Sequence, residues 1–370
     1  MKKCYSALSA TMLIAVFFIS YSSVAQLNFL PRGSQTAKVM QRVGNTDVYV
    51  VYSRPSVNDR EIWGALVPYG MNNLGFGTAT ESPWRAGANE NTIFKTTHDL
   101  TIGGKSLPAG KYGLHMIVNE GNTATVIFSK NHDAWGSYFY DPAEDVLRVD
   151  VETKEIAHVE QLTYSFEEVD ATSAVVALSW EKKQIPFKVE TNVTDNVLTE
   201  VRQKLQTTPG FARQSWEQAA NFALNNDGDL DEALTWVDAA IAGQFFSQKT
   251  FNNLSIKSQI LAKQGKTAEA DALMKEALPL GTVFQVHGYG RQLIGQGKTD
   301  EALEIFKWNA KTHKDTWPVH YGLARGYSAL GDNKSTVKHL KIALENAPAQ
   351  ANKDRVAANI AKAEKGEGIN

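Results

Sequence analysis

From Thr36 to Val189 apolar side chains recur at every second position, the spacing that sends alternate residues to opposite faces of a sheet. Val48, Val50 and Tyr52 share one face, as do Tyr112, Leu114, Met116 and Val118. Leu147, Val149 and Val151 form a third run, with Arg148, Asp150 and Glu152 turned the other way. Leu162, Tyr164 and Phe166 follow, then Ala174, Val176, Leu178 and Trp180, then Ile185, Phe187 and Val189. Turn signals separate the runs at Gly103-Gly104, Pro108-Ala109-Gly110, Asn119-Glu120-Gly121-Asn122 and Glu181-Lys182-Lys183. Roughly eight or nine short antiparallel strands with tight turns predict a β-sandwich or an open barrel.

After Thr191 the spacing becomes helical, and a repeat emerges when small residues are aligned. Ala233, Ala270, Ala302 and Thr336 stand 37, 32 and 34 residues apart. Each is followed four positions later by Val237, Met274, Phe306 or Leu340, and then by Ala240, Ala277, Ala310 or Ala343. This pattern resembles the tetratricopeptide repeat (TPR), a helix pair with small residues where its helices touch. The last copy fits best, through Leu323, Ala324, Tyr327, Gly331, Ala343 and Pro348; Trp216 opens the first, and the two middle copies diverge. The resemblance implies an α-solenoid that offers a concave surface to a protein or peptide. The expected organisation is a β-rich domain over 26–190, a linker or bridging helix over 191–210, repeats with a closing helix over 211–365, and a tail over 366–370.

The first residues change the picture of where such a protein works. Lys2 and Lys3, the apolar run Leu13 to Ile19 and the small residues Ser23-Val24-Ala25 have the order of a secretory signal peptide, cut between Ala25 and Gln26. Export to the periplasm or beyond is therefore expected. The run is too short to span a bilayer, and no later stretch is long enough. The only cysteine, Cys4, lies inside this segment, so the mature chain has neither disulfides nor thiol chemistry. Losing two lysines takes the net charge from −2 to −4, and no basic stripe exists to neutralise a phosphate backbone; nucleic acid is not an expected partner.

Within the β-rich part a series of local motifs occurs in order: Tyr52-Ser53-Arg54-Pro55, Arg60-Glu61-Ile62-Trp63-Gly64, Leu66-Val67-Pro68-Tyr69-Gly70, Trp84-Arg85-Ala86-Gly87-Ala88-Asn89-Glu90, Ala109-Gly110-Lys111-Tyr112 and Trp135-Gly136-Ser137-Tyr138. Together they resemble the domain-of-unknown-function 2911 (DUF2911) family of exported bacterial proteins, over residues 31–190. The resemblance implies no activity. One departure is Met71 to Ser82, which reads as an inserted glycine-rich loop longer than the family's connection.

Trp84 to Glu90 gathers an arginine, an asparagine and a glutamate around small residues just before a strand. Arg85 has the fork to grip a carboxylate or phosphate, and Glu90 the chemistry of a general acid or base. Alternatively, the two pair with each other and brace the connection. Trp84, Asn89, Trp135 and Tyr138 are further ligand-binding candidates, and Trp63 and Tyr140 join them as either groove-lining or core aromatics. His115 is a weak catalytic candidate, and it and His98 also read as half-buried strand residues. No helical zinc spacing is present, so no metal or cofactor is expected; the one metal set left open combines His115, His132, Asp133 and Glu90 from distant strands. Gly104-Lys105-Ser106 resembles the end of a phosphate loop but sits in a strand-turn-strand context, a hairpin turn.

Two function classes remain open on the sequence. One is a binding protein whose repeats engage a protein or peptide while the β-domain recognises a second ligand. The other is a hydrolase acting on an envelope sugar or peptide, with Glu90 as acid or base and Arg85 positioning substrate. A Glu90 within hydrogen-bond reach of a second titratable group inside a pocket would favour the hydrolase.

Overall fold

The computed structural model describes residues 31–314 and 316–370, which divide after Thr191 into two compact units. The predicted export segment and its cleavage point lie outside the described residues. The first unit contains β1 (Gln35–Val43), β2 (Thr46–Arg54), β3 (Thr92–Thr96), β4 (Leu100–Ile102), β5 (Lys105–Leu107), β6 (Gly110–Val118), β7 (Thr123–Ser129), β8 (Asp145–Glu152), β9 (Lys154–Glu167) and β10 (Ser173–Glu190). They form two antiparallel sheets, one in the order β1-β2-β3-β6-β7-β8 and one in the order β5-β4-β10-β9. Both contribute to one core: Phe94 and Phe128 of the larger sheet pack edge to face at 5.0 Å, and Phe187 of the smaller meets Phe128 at 5.8 Å. The fold is a sandwich, not a barrel.

The period-two faces named from the sequence are the faces that pack. Val48, Val50, Tyr52, Leu114, Met116, Leu162, Tyr164 and Trp180 are all buried. Gly103-Gly104 turns the β4–β5 hairpin, in which Ile102 pairs with Lys105. The expected turn at Glu181-Lys182-Lys183 is instead an irregularity within β10, where the pairing with β9 shifts register on both sides of Glu181. Glu181 itself has φ 53°. Such a bulge moves the inward face from even to odd positions, which is why Trp180 and Ile185 both point into the core. His98 lies in the bend between β3 and β4, not in a strand.

The second unit holds α1 (Val193–Lys204), α2 (Arg213–Asn225), α3 (Leu230–Ile241), α4 (Phe251–Lys263), α5 (Thr267–Ala277), α6 (Val283–Gly295), α7 (Thr299–His313), α8 (Trp317–Ala329), α9 (Asn333–Asn346) and α10 (Gln350–Glu364). Capping boxes set the starts of two of them, Thr250 with Asn253 and Thr282 with Gln285. Helices α2 to α9 form four successive pairs, and the aligned residues Ala233, Ala270, Ala302 and Thr336 are buried where the helices touch, with Val237, Met274, Phe306 and Leu340 beside them. In the third copy Asn309, not Ala310, takes the buried seam position, and its side chain donates to the Val283 carbonyl at 3.0 Å. Residues 191–210 are not a free connection, since Leu198 of α1 is buried in a cluster with Ala220, Ala223 and Trp236. The C-terminal residues are docked too: the Ile369 side chain joins the cluster around Tyr321 and Leu340, and its N–H donates to Ser328.

The middle junction of the stack differs from its neighbours. Helices α2 and α3 both pack on α4, and α6 and α7 both pack on α8, whereas neither α4 nor α5 lies along α6. The two halves are joined at one end by Phe251, Leu254, Leu278 and Val286. Beyond that contact they part.

Candidate functional site

Trp84 pairs by backbone with Met116, each N–H donating to the other's carbonyl at 2.8–2.9 Å, and this bridge lays the Trp84–Glu90 segment beside β6. After it the chain leaves extended geometry: Ala86 and Asn89 adopt φ 48° and 62°, a region costly for residues with a side chain. Two buried hydroxyls hold the first, since Tyr164 and Thr92 both donate to the Ala86 carbonyl. The second is held by the Asn89 side chain, which donates to the Ser34 carbonyl and to Ser53. This scaffold fixes Arg85. Its guanidinium donates to the Asn89 carbonyl at 2.8 Å and lies 5.5 Å over the Tyr138 ring. Gly136, at φ +65°, closes over it so tightly that a Cβ there would meet the Arg85 Cζ at 2.6 Å.

The expected Arg85–Glu90 pair is absent. Glu90 reaches the other way, to Arg32. Burial pushes the Glu90 carboxyl up, but its bonds to Arg32 and to its own backbone N–H outweigh that and hold it below the usual carboxylate range. A carboxylate kept ionised, exposed and away from the cavities at Arg85 is poorly placed as a general acid. His115 is 2% exposed, with Nδ1 3.0 Å from the Ser137 hydroxyl. Burial, then the nearby Arg85 charge, lowers its pKa to about 4. His132 instead pairs with Asp133 at 2.7 Å, a carboxylate that Lys111 also reaches. The four residues of the open metal set thus stand in three separate places, and among the described residues no three His, Cys, Asp or Glu side chains converge.

The aromatic candidates divide in the same way. Trp63 and Trp84 pack with Trp180 in a three-indole cluster, Trp84 stacked on Trp180 at 6.0 Å. Tyr138 lies under Arg85 and against Phe76 of the 71–82 loop. Tyr140 donates to Asp145 and accepts from Arg148, a structural corner. Trp135 stays half exposed, with the Arg32 guanidinium over its ring. The 71–82 loop is pinched at its base by backbone bonds between Asn72 and Ser82 and docks where Gly77, at φ +87°, lies against the Tyr138 carbonyl. Two cavities meet at Arg85 as a result. One of about 290 Å³ is lined by Arg60, Leu66, Trp84, Arg85, Asn89 and Trp180, among others. A smaller one of about 110 Å³ lies toward Leu74 of the loop and shares Leu66, Trp84 and Arg85.

In the helical unit, the parted middle junction opens a cleft with two mouths. One, of about 470 Å³, is lined by Asn225, Ser255, Gln259, Gln292 and Gln296 above Leu293. The other, of about 610 Å³, is lined by Leu278, Leu303 and Ile305 with Asp300, Glu301 and Glu304 at its rim. Asp271, Met274, Tyr289 and Leu293 belong to both. Burial, then the charges of Asp271 and Glu301, raises the Tyr289 pKa, so the phenol stays neutral and can donate.

Comparison with known families locates the sandwich. Residues 34–189 match the family DUF2911, described as a protein of unknown function. The DUF2911 match runs from just before β1 to the end of β10, and every quoted motif falls inside it. No curated protein matches the chain. Solved structures resemble the helical part at low identity. YrrB, titled a TPR protein with an unusual peptide-binding site, is 16% identical, with 45% of this chain and 84% of that one covered and a TM-score of 0.29. The C-terminal part of a TPR repeat-containing protein from Cytophaga hutchinsonii gives 14%, 46%, 70% and 0.33. A thermophilic TPR protein of Thermus thermophilus gives 18%, 47%, 91% and 0.30. The repeat architecture rests on the helix pairs themselves. Sequence reasoning did not single out Arg60 and Leu66, quoted only within motifs, or Trp180, read only as core, although all three line the cavity. The cleft residues carried no sequence signal beyond the divergence of the middle repeats.

Proposed function

We propose that this is an exported interaction protein whose helical repeats receive a segment of a partner protein in the cleft between α4–α5 and α6–α7. The observation that carries this reading is the middle junction, where the solenoid parts around Tyr289 and leaves cavities of about 470 and 610 Å³. The two mouths offer complementary chemistry. Side-chain amides at Gln259, Gln292 and Gln296 suit the unpaired N–H and C=O groups of an entering backbone. Met274, Leu293, Leu303 and Ile305 suit an apolar side chain, which a peptide anchors in such a floor. Export is proposed on the order of charged, apolar and small residues in 1–25. The hydrolytic reading gains no support from Glu90, which pairs with Arg32 away from the cavity.

The test is partner retention by the full chain recovered from the periplasmic fraction, its intact mass beginning at Gln26. The parent should retain a discrete partner that Gln259→Arg with Gln292→Arg loses and that Glu345→Arg, on α9 outside the cleft, keeps. Equal retention by all three proteins would remove the cleft from the account.

A further inference from the structure

The larger cavity at Arg85 has a charge character that the fold does not explain. Two guanidinium-bearing residues line it, Arg60 and Arg85, and none of its lining residues is an aspartate or glutamate. Among the described residues, neither arginine has a carboxylate partner. Arg60 donates to the Val57 carbonyl at 3.0 Å and to that of Ser56, and Arg85 to the Asn89 carbonyl. Neutral carbonyls occupy one side of each fork and leave the remaining N–H groups without a carboxylate. His115, whose pKa the Arg85 charge helps to lower, is buried and neutral near pH 7, so it adds no second positive charge beside that guanidinium. Arg60 is exposed and keeps its water, whereas Arg85 is half-buried, and a half-buried cation without an anion is unfavourable unless something brings the anion.

The walls are also built at a cost. The loops that present the two arginines each contain non-glycine residues in the left-handed region: Asn58 and Asp59 (φ 48° and 57°) just before Arg60, and Ala86 and Asn89 (φ 48° and 62°) just after Arg85. Strain of this kind persists where the surroundings over-determine it and gathers at ligand sites. Here the buried Tyr164 and Thr92 hydroxyls and the Asn89 side chain do the holding. Arg85 is further fixed between Gly136 and Tyr138. Ser34 and Asn89 add polar lining, and one wall is apolar: Trp84 lies stacked against Trp180, whose buried indole N–H has no acceptor among the described residues.

We infer that this cavity binds the oxyanion end of a small organic ligand, a carboxylate or a phosphate, between Arg60 and Arg85, with the ligand's apolar body against Leu66 and Trp84. The two anions share the chemistry that a pair of planar forks recognises. A volume of about 290 Å³ suits a ring-sized body. The site lies in the β unit and stands independently of the proposed peptide cleft.

The experiment titrates the mature full chain with benzoate, phenyl phosphate and the neutral isostere benzamide, reading heat of binding and melting temperature. At least one of the two anions should bind saturably and raise the melting temperature, more weakly at higher salt, while benzamide binds about tenfold less tightly or not at all. Which anion binds better identifies the source of the oxyanion. Arg85→Met and Arg60→Met should each weaken the preferred anion by about tenfold or more, and Arg85→Lys should not restore it, because a point charge lacks the fork. Benzamide binding as well as the anions, no binding of either anion, or parent-like anion affinity in Arg85→Met would overturn the inference. The comparison of charged and neutral probes on the parent decides even if a variant fails to fold.

Discussion

His115 sits 2% exposed between the Ser137 hydroxyl and the ring of Tyr140, and burial with the Arg85 charge lowers its pKa from 6.5 to about 4. The unfolded chain takes up that proton below pH 6.5, whereas the folded chain refuses it until about pH 4. Stability from this group is therefore complete above pH 6.5, falls as pH drops toward 4, and levels off below. The full loss is about 3 kcal/mol, from the size of the displacement. His287 of the helical unit is lowered to about 4 as well, chiefly by burial, and contributes a parallel loss there. Denaturation of parent and His115→Asn between pH 7 and pH 4 isolates the first: the variant should lose less stability across that interval. Identical slopes would contradict the burial argument. Period-two spacing already placed His115 on the strand face opposite Leu114 and Met116. What it could not show was that the loop carrying Ser137 covers that face. A contact between residues 22 positions apart depends on where a loop docks, and here the Ser82 hydroxyl donates to the Ser137 carbonyl at 2.8 Å and holds it.

At the scale of elements, the helical pairs are held by more than apolar seams. Glu217 of α2 is 5% exposed and meets Arg213 one turn earlier, while Asn252 and Asn253 of α4 donate to its two oxygens at 2.8 and 3.0 Å. Glu217→Ala leaves the half-buried Arg213 guanidinium without its carboxylate and takes one acceptor from Asn252 and from Asn253, which keeps the Gln248 carbonyl, and should destabilise the helical unit by about 3 kcal/mol. Glu217→Gln keeps an acceptor and should cost less. Urea unfolding followed by helical circular dichroism checks both; an alanine variant within about 0.5 kcal/mol of the parent would show the network to be ornamental. The strands were legible wherever the alternation was unbroken, as in β2 and β6. Alternation failed at β10, where a bulge inverts the inward parity and a charged triplet imitates a turn, and it missed Asn309, because a polar residue at a buried seam is betrayed only by its carbonyl partner on α6. The Arg85–Glu90 pair was expected from proximity in sequence. The left-handed residues between them turn the two side chains apart, toward Tyr138 and toward Arg32.

For the molecule as a whole, the contacts divide the chain after Thr191 into two compact units. Each unit carries its own candidate site, a cationic cavity in the DUF2911 region and an acidic-rimmed cleft in the repeats. Gly290 of α6 lets Phe306 of α7 close in, since a Cβ there would lie 2.6 Å from that ring, while the two halves remain joined around Leu278 and Val286. Divergence of the middle copies was readable, but a parted junction was not, since spacing along a chain does not report how far apart successive pairs settle. The central claim is that a partner segment enters that junction. Photocrosslinking from a benzoylphenylalanine in place of Gln292, in the full chain within cells, tests it most directly. A discrete adduct from position 292, and none from the same group at Glu345, is the result expected. No adduct from position 292, or equal adducts from both positions, would contradict the account.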